Sequence, residues 1–327
     1  MSQPIQHHYL PKQAYLKFFE SPQNKDFIWM YQRGEETILV NTKNVAKERH
    51  LYSFTDDDGK YNTQLESALA EMETVASKIL KKINDSNAPI ILTLQEKMDL
   101  SYFLAMQVAR TPAYRDMLKQ LAVELVKLHM QTLASNEKAF KHAMHEVKKD
   151  KPEMPDVSIK EMREFIFGEK YMIEMGNSNY FLKQAIQSGD HLYPTIMMKD
   201  IFVLRSQSVE LITSDYPVTL ISNPAIPPFY AGGFLMSGIL IPIGTNSALF
   251  CKNPDDPKMP PKNYDKILVG YKEIAPAYAR WINKVTINHA ERFLFGSVSN
   301  QKIKELFDRT STPKRFYVSS PFSGKHK

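Results

Sequence analysis

Two adjacent histidines stand near the start of the chain, and several other polar residues follow where the surrounding sequence is apolar. The pair is His7 and His8 in "IQHHYLPKQAYLKFF", residues 5–19. The other polar residues of this kind are Gln107 and Arg110 in "MQVARTP", Ser214 and Asp215 in "TSDYPV", and Asn288 in "INHAERF". Imidazole, guanidinium and carboxylate groups commonly transfer protons or stabilise anions in enzymes. These residues are therefore candidates for a functional site.

The chemistry that this set suits best is hydrolysis or transfer at a phosphodiester. His8 can move the proton, Arg110 can stabilise the charge that develops on the phosphorane, and Asp215 can orient the imidazole or hold a divalent metal ion such as Mg²⁺. These three are interpreted as catalytic residues. The residues interpreted as binding residues are Gln107, Ser214 and Asn288.

Arg110 lies three residues after Gln107, which places both side chains on one face of a predicted helix. A guanidinium is costly to bury unless it is paired. Pro112 disfavours helical geometry at Thr111, so the helix is expected to end or kink just after Arg110. Two interpretations stay open, namely a bound anionic ligand or a structural salt bridge. The candidate carboxylates for such a bridge are Asp215, Glu73 and Glu48.

Asp215 lies between two strand-like runs, and Pro217 restricts the turn that follows it. Such a strand end can carry an active-site carboxylate. The structural alternative is a turn in which the carboxylate only satisfies backbone amides.

Composition excludes several classes of protein. The 327 residues include 43% hydrophobic residues and a single cysteine, Cys251, so the chain can bury a core but can form neither an intramolecular disulfide nor a multi-cysteine zinc site. No secretion signal and no apolar run long enough for a membrane span is present, and we expect a cytoplasmic protein. Most of the net charge of +6 lies in residues 301–327, where seven basic residues face two acidic ones. A solvated tail explains this excess more simply than a nucleic-acid site.

The order of predicted elements indicates an α+β fold, with a helical N-terminal half packed on a mainly antiparallel sheet and with a C-terminal helix. A hairpin turns at Arg33 and Gly34, and helices are predicted from about 62 to 83, from a capping box at Thr93 and Glu96, and from 113 to 149. Two more helices are expected at 158–174 and 177–188, then strands within 199–252, then a helix over 276–299. We expect one domain, 1–300, followed by a basic tail, 301–327.

Common catalytic motifs are missing from the sequence. It contains no phosphate-binding loop, no dinucleotide-binding glycine motif, no H-E-x-x-H and no G-x-S-x-G. "HAMHE" at 142–146 has the spacing of a metal site on a helix, but the lysines around it would repel a cation. Cys251 lies in an apolar strand and is interpreted as a core residue.

Several segments together resemble the bacterial family called domain of unknown function 4238. They are "HHYLPKQAYLKFF", "VAKERHLYSF", "FLAMQVARTP", "TSDYPV", "GILIPI" and "INHAERFLFGS", which cover about residues 7–298. The family pattern His-Tyr-x-Pro matches His8, Tyr9 and Pro11. The family label names no reaction.

His8 and His7 are expected to behave differently. Pro11 restricts Leu10 to extended geometry, so residues 7–10 should form a strand-like segment whose neighbouring side chains point in opposite directions. Only one histidine can then face a site. Because the resemblance favours His8, we expect His8 to lie inside, near Arg110 or Asp215, and His7 to point away.

Two functional hypotheses follow from the sequence. The first is an intracellular bacterial effector, a nuclease or phosphodiesterase, and the bacterial occurrence of the family suggests a role in phage defence. The second is a non-catalytic binding module whose polar residues form a buried structural network. In that case the basic tail or the lysine-rich helix would meet a partner, either a protein or a nucleic acid. Convergence of His8, Arg110 and Asp215 on an open pocket would favour the enzyme, whereas burial with mutual pairing would favour the module.

Overall fold

The computed structural model describes residues 6–49, 54–55, 61–62, 64–169, 171–175, 178–222, 233–255 and 266–312. The strands are β1 (Gln6–His8), β2 (Phe27–Gln32), β3 (Ile38–Asn41), β4 (Lys47–Arg49), β5 (Phe54–Thr55), β6 (Tyr61–Asn62), β7 (Ile90–Leu92), β8 (Asp200–Ser206), β9 (Thr213–Ser214), β10 (Thr219–Ile221), β11 (Gly238–Gly244), β12 (Ser247–Lys252), β13 (Ile267–Ile274) and β14 (Phe293–Gly296). The helices are α1 (Gln64–Asn84), α2 (Leu94–Ala109), α3 (Pro112–Ser135), α4 (Glu137–Asp150), α5 (Ile159–Phe167), α6 (Ser178–Met197), α7 (Gly233–Met236), α8 (Pro276–His289) and α9 (Gln301–Arg309). None of the helices described is both long and apolar enough to cross a lipid bilayer.

Two larger sheets form within the described residues. One has the strand order β10-β11-β12-β8-β13-β7, and its pairs are antiparallel except for the parallel pair β8–β13. The other has the order β3-β2-β14-β9 and is antiparallel throughout. Two-stranded antiparallel pairs join β1 to β4 and β5 to β6. The protein is therefore an α+β fold with mainly antiparallel sheets, as predicted.

The chain divides into two compact units. The described residues of 1–115 and 182–313 form the first unit, which contains both larger sheets, α1, α2, α8 and α9. The described residues of 116–181 belong to the second unit, whose core joins Ala134, Phe140 and Ile166. The expectation of a single domain over 1–300 stays a prediction.

Three predicted helices have different bounds in the structure. The helix expected over 158–174 ends at Phe167, and residues 171–175 are not helical. The single helix expected over 113–149 is two helices, because the Asn136 side chain accepts a hydrogen bond from the backbone N–H of Ala139 (3.1 Å) and so begins α4. The helix expected to end at 188 continues through Gly189 to Met197. A Cβ atom at Gly189 would lie 2.4 Å from Cε of Met106 and 3.4 Å from Cβ of Ala109, so α6 packs closely on α2 at this point. Close packing of two helices, rather than a helix stop, explains this glycine.

The C-terminal helix expected over 276–299 is also divided. It ends at His289, strand β14 follows, and α9 then occupies part of the segment expected to be a tail. Phe307 of α9 is buried with Tyr31, Ile287 and Leu294. The remainder of the predicted tail, from 313 onward, lies outside the described residues.

The strands expected within 199–252 are present, but some are shorter. The run 209–215 contributes only β9, and 233–236 forms the short helix α7 before β11. Cys251 is buried in β12, as expected of a core residue.

Tyr15 joins the two larger sheets through its hydroxyl group. The hydroxyl lies 2.6 Å from Thr213 Oγ1 in β9 and donates to the Pro242 carbonyl of β11 (2.7 Å), and the side chain is fully buried. Tyr15→Phe should lower the free energy of unfolding by about 1–3 kcal/mol, because it leaves buried polar groups without a partner. Urea denaturation measures this change. Tyr271→Phe removes a hydroxyl with one long contact to Glu273 (3.4 Å) and should change stability by less than about 0.5 kcal/mol. Equal effects of the two substitutions would contradict the role of Tyr15.

Candidate functional site

Helix α2 positions Gln107 and Arg110. It begins at the predicted capping box, in which Thr93 and Glu96 bond each other's backbone N–H groups. It ends where the Thr111 hydroxyl accepts a hydrogen bond from the Tyr114 N–H (3.3 Å), which starts α3. Gln107 is 0% exposed and Arg110 is 1% exposed. The helix end at "ARTP" therefore places two large polar side chains in the interior, as the sequence predicted for Arg110.

Arg110 pairs with Glu73, one of the three carboxylates that the sequence offered. Its Nη1 atom donates to Glu73 Oε1 at 2.6 Å, and the Glu73 side chain remains 27% exposed. Glu48 instead accepts two hydrogen bonds from Arg115 Nη2 (3.0 and 3.2 Å). The predicted charge-assisted contact of Arg110 is confirmed.

Four buried atoms of Gln107 and Arg110 lack hydrogen-bond partners. They are the amide nitrogen and oxygen of Gln107 and the Nε and Nη2 atoms of Arg110, all buried, and no partner for them exists among the described residues. An unsatisfied buried polar group costs about 1–3 kcal/mol. Gln107 and Arg110 therefore hold donors and an acceptor in the interior that only a buried polar group could satisfy.

His8 lies close enough to Arg110 and Glu73 for their charges to act on its imidazole. It is half-buried, it opposes Lys47 in the β1–β4 ladder, and it has a hydrogen bond to the backbone of Val45. Burial lowers the pKa of His8 below its usual value, and the positive charges of Lys47 and Arg110 act in the same direction. The Val45 hydrogen bond and the Glu73 carboxylate oppose them. His8 is therefore mainly neutral near pH 7 and can accept a proton.

The turn that contacts His8 has an unusual backbone. Ala46, which follows Val45, has φ of 51° and accepts a hydrogen bond from the Tyr9 N–H (2.9 Å). A left-handed conformation is uncommon for alanine and costs roughly 1–3 kcal/mol. The Tyr9–Ala46 hydrogen bond, together with the β1–β4 ladder, therefore fixes the path of the N-terminal segment around His8.

His7 does not point away from the interior, so that expectation is wrong. It is 6% exposed, and its Nδ1 atom lies 3.4 Å from Glu66 Oε1 on α1. Tyr9 and Leu10 are also buried. Because this extended segment is covered on both faces, the alternation of its side chains does not decide which of them are buried.

Asp215 accepts hydrogen bonds from three consecutive backbone N–H groups. They belong to Glu291 (2.9 Å), Arg292 (2.8 Å) and Phe293 (3.2 Å), immediately after α8. Burial raises the pKa of Asp215 to about 6, against the opposing effect of these N–H groups. Ser214 forms a local turn, in which its hydroxyl donates to the Tyr216 carbonyl (2.8 Å). Both side chains thus satisfy backbone groups.

Different members of the predicted site act on His8 and on its neighbour Tyr9. Arg110 and Glu73 are among the charges that act on His8, whereas Asp215 acts on Tyr9 and Arg33. The Tyr9 hydroxyl accepts a hydrogen bond from the Arg292 side chain. His8 and Tyr9 therefore contact different groups, and His8, Gln107 and Arg110 remain as the candidate site.

Asn288 is exposed on α8, and the buried amide of this helix is Asn283. The Asn283 amide donates to the Glu210 carbonyl (2.8 Å) and accepts from the Ile212 N–H (3.1 Å). The helical spacing from Ala279 to Asn283 and Ile287 identifies this face in the sequence. Glu73 could be named from sequence only as one of several possible partners.

Metal-binding geometry is not evident in the described part of the chain. No group of three or more His, Cys, Asp or Glu side chains there could hold a metal ion. In "HAMHE", His142 and His145 are exposed, and Glu146 pairs with Lys149 (2.8 Å).

The raised pKa of Asp215 predicts a pH-dependent stability. The folded protein retains a proton that the unfolded chain loses between about pH 4 and pH 6, so the contribution of Asp215 to stability decreases as pH rises through that range. The free energy of unfolding of the wild type minus that of Asp215→Asn should therefore decrease by up to about 3 kcal/mol between pH 4 and pH 7. Urea denaturation of both proteins along the pH range measures this. A difference that increases with pH would show that the three N–H groups outweigh burial.

Comparison with known proteins identifies a family but no reaction. Neither a curated protein nor a solved structure matches the chain. A family model described as Protein of unknown function (DUF4238) matches residues 6–300, which agrees with the resemblance noted in the sequence. The chain therefore belongs to the DUF4238 family.

Proposed function

We propose that the protein is a cytoplasmic phosphodiesterase that binds a phosphate ester at His8, Gln107 and Arg110. The observation that carries this proposal is the set of unpartnered atoms on Gln107 and Arg110 in the interior. Arg110 is close enough to the half-buried His8 for its charge to act on the imidazole. Phosphate oxygens are strong acceptors for guanidinium N–H groups. A bound phosphate would therefore satisfy donors that the described residues leave open.

Arg110 would stabilise the transition state in this proposal. Glu73 holds Nη1 in place, so Nε and Nη2 have a fixed direction before substrate arrives. Donors fixed in advance stabilise the charge that develops on a phosphorane without reorganising. The amide of Gln107 would bind a further oxygen of the same group.

His8 would transfer the proton. Its neutral imidazole removes a proton from the attacking water as the new P–O bond forms. The imidazolium then returns the proton to the leaving oxygen as the scissile P–O bond breaks. Glu73 opposes the effect of burial and favours the imidazolium that exists between the two steps. Asp215 has no part in this scheme, because its oxygens accept backbone hydrogen bonds.

The binding-module hypothesis has its own support. The burial of Arg110, its pairing with Glu73 and the backbone hydrogen bonds of Asp215 are the burial and mutual pairing expected of the binding module. In that case ordered water would satisfy Gln107 and Arg110, and the protein would act through a partner. A role as an effector in phage defence belongs to the phosphodiesterase proposal and would follow from toxic nuclease activity.

Activity assays with matched histidine variants test the phosphodiesterase proposal. Purified protein is incubated with labelled RNA, labelled DNA and bis(4-nitrophenyl) phosphate, with and without Mg²⁺ or Mn²⁺. His8→Gln should lower the rate at least about 100-fold, which is typical for loss of a general acid–base. His7→Gln is the control and should keep most activity. Full activity of His8→Gln, or an equal loss in both variants, would overturn the proposal.

Gln107→Met separates a ligand site from a structural network. If the Gln107 amide is unsatisfied in the free protein and bonds only a ligand, replacing it by an apolar side chain of similar size removes that cost. The free energy of unfolding should then rise by about 1–3 kcal/mol, and activity should be abolished. Gln131→Met is the matched control, because the buried Gln131 amide donates to Glu169 Oε1 (2.8 Å) and its loss should destabilise. Destabilisation by Gln107→Met would instead support the structural network.

A further inference from the structure

A second candidate binding site lies between α8, α9 and the chain that precedes β9. It is a cleft of about 480 Å³, and residues 208–212 form one wall. Its apolar floor includes the half-buried side chains of Val209 and Ile303 beside the buried Leu211, Ile212 and Ile287. The exposed side chains of Val298 and Leu306 line its rim. No residue of the His8, Gln107 and Arg110 cluster lines this cleft. Its volume suits a small organic ligand, since such pockets commonly measure about 300–1,000 Å³.

Three cationic side chains surround the apolar floor. Arg280 and Lys284 lie four residues apart on α8, so they share one face of the helix, and Lys302 lies in the first turn of α9. All three are exposed, and within the described part of the chain none forms an ion pair or a side-chain hydrogen bond. Their charges are therefore available to a ligand.

The acidic side chain that lines the cleft already accepts a hydrogen bond within the protein. Of the described residues that line it, only Glu210 is acidic, and its Oε2 atom accepts a hydrogen bond from Ser297 Oγ at 2.5 Å. The hydrogen bonds of Asn283 to Glu210 and Ile212 fix the base of the cleft to α8. The result is a firmly held apolar surface with an excess of positive charge at its edge.

We propose that this cleft binds a small phosphate ester with an aromatic or apolar body, such as a nucleoside phosphate. The phosphate oxygens would accept hydrogen bonds from Arg280, Lys284 and Lys302, and the base would contact the apolar floor. A bounded cleft with three cations suits one small anion better than a polymer, which needs a longer row of phosphate contacts. The proposal does not depend on the phosphodiesterase activity.

Calorimetric titration of the full-length protein with AMP and ATP, without divalent cations, tests this site. Arg280→Gln/Lys284→Gln should weaken nucleotide binding at least about tenfold, because two charge-assisted contacts are lost. Lys78→Gln/Lys138→Gln removes the same charge at exposed positions outside the cleft and should leave the affinity unchanged. Circular dichroism and thermal unfolding verify that both variants fold. His8→Gln should also retain nucleotide binding, which distinguishes this cleft from the first site.

Further ligands identify which part of the nucleotide is recognised. Adenosine lacks the phosphate and should bind far more weakly, and pyrophosphate lacks the base and should also bind less well. Equal binding of pyrophosphate and ATP would overturn the role of the apolar floor. Absence of nucleotide binding, or binding unchanged in the cleft variant, would overturn the site. If the cleft variant lost binding to a single-stranded oligonucleotide but not to nucleotides, the proposal would be overturned and the cleft assigned to nucleic acid.

Discussion

An arginine side chain that leaves water loses the hydrogen bonds of its five N–H groups unless protein groups accept them, and this cost organises much of the first unit. Arg205 on β8 donates to the Asn84 carbonyl at the end of α1 (3.0 Å). Arg33, in the turn of the β2–β3 hairpin, donates to the carbonyls of Ala290 (2.9 Å) and Thr310 (2.8 Å), at the ends of α8 and α9. A cation at a helix C-terminus satisfies its last carbonyls and opposes the negative end of its dipole. Charge-assisted bonds thus attach both sheets to helix ends.

The same requirement gives the family's motifs different roles. Arg33 donates to a carbonyl of the chain that follows α8, and Asp215 accepts from N–H groups of the same segment. The motif "TSDYPV" and the segment "INHAERF" therefore meet to build the fold. "MQVARTP" is different, because Glu73 engages one nitrogen of Arg110 and the described residues leave Gln107 without a partner. Architecture accounts for the first two motifs but only partly for the third.

Local interactions could be predicted from the sequence, and long-range ones could not. The capping box at Thr93 and the helix end at Thr111 depend on residues within one turn, so both were predicted. A helix was expected to end at residue 188, whereas it continues through Gly189, which packs against Met106, a residue far away in the sequence. The burial of His7 likewise depends on α1 covering the segment. The partners of a buried polar group come from the tertiary fold, which a single sequence does not specify.

Cys251 has a practical consequence for spectroscopy. It is the only cysteine in the chain, it is buried in β12, and burial raises its thiol pKa to about 12. Only the thiolate reacts readily with maleimides, so the native protein should be nearly inert to them. A cysteine placed on an exposed position would then be the single labelled site. The natural chain can therefore carry one fluorophore or spin label without removal of its own cysteine.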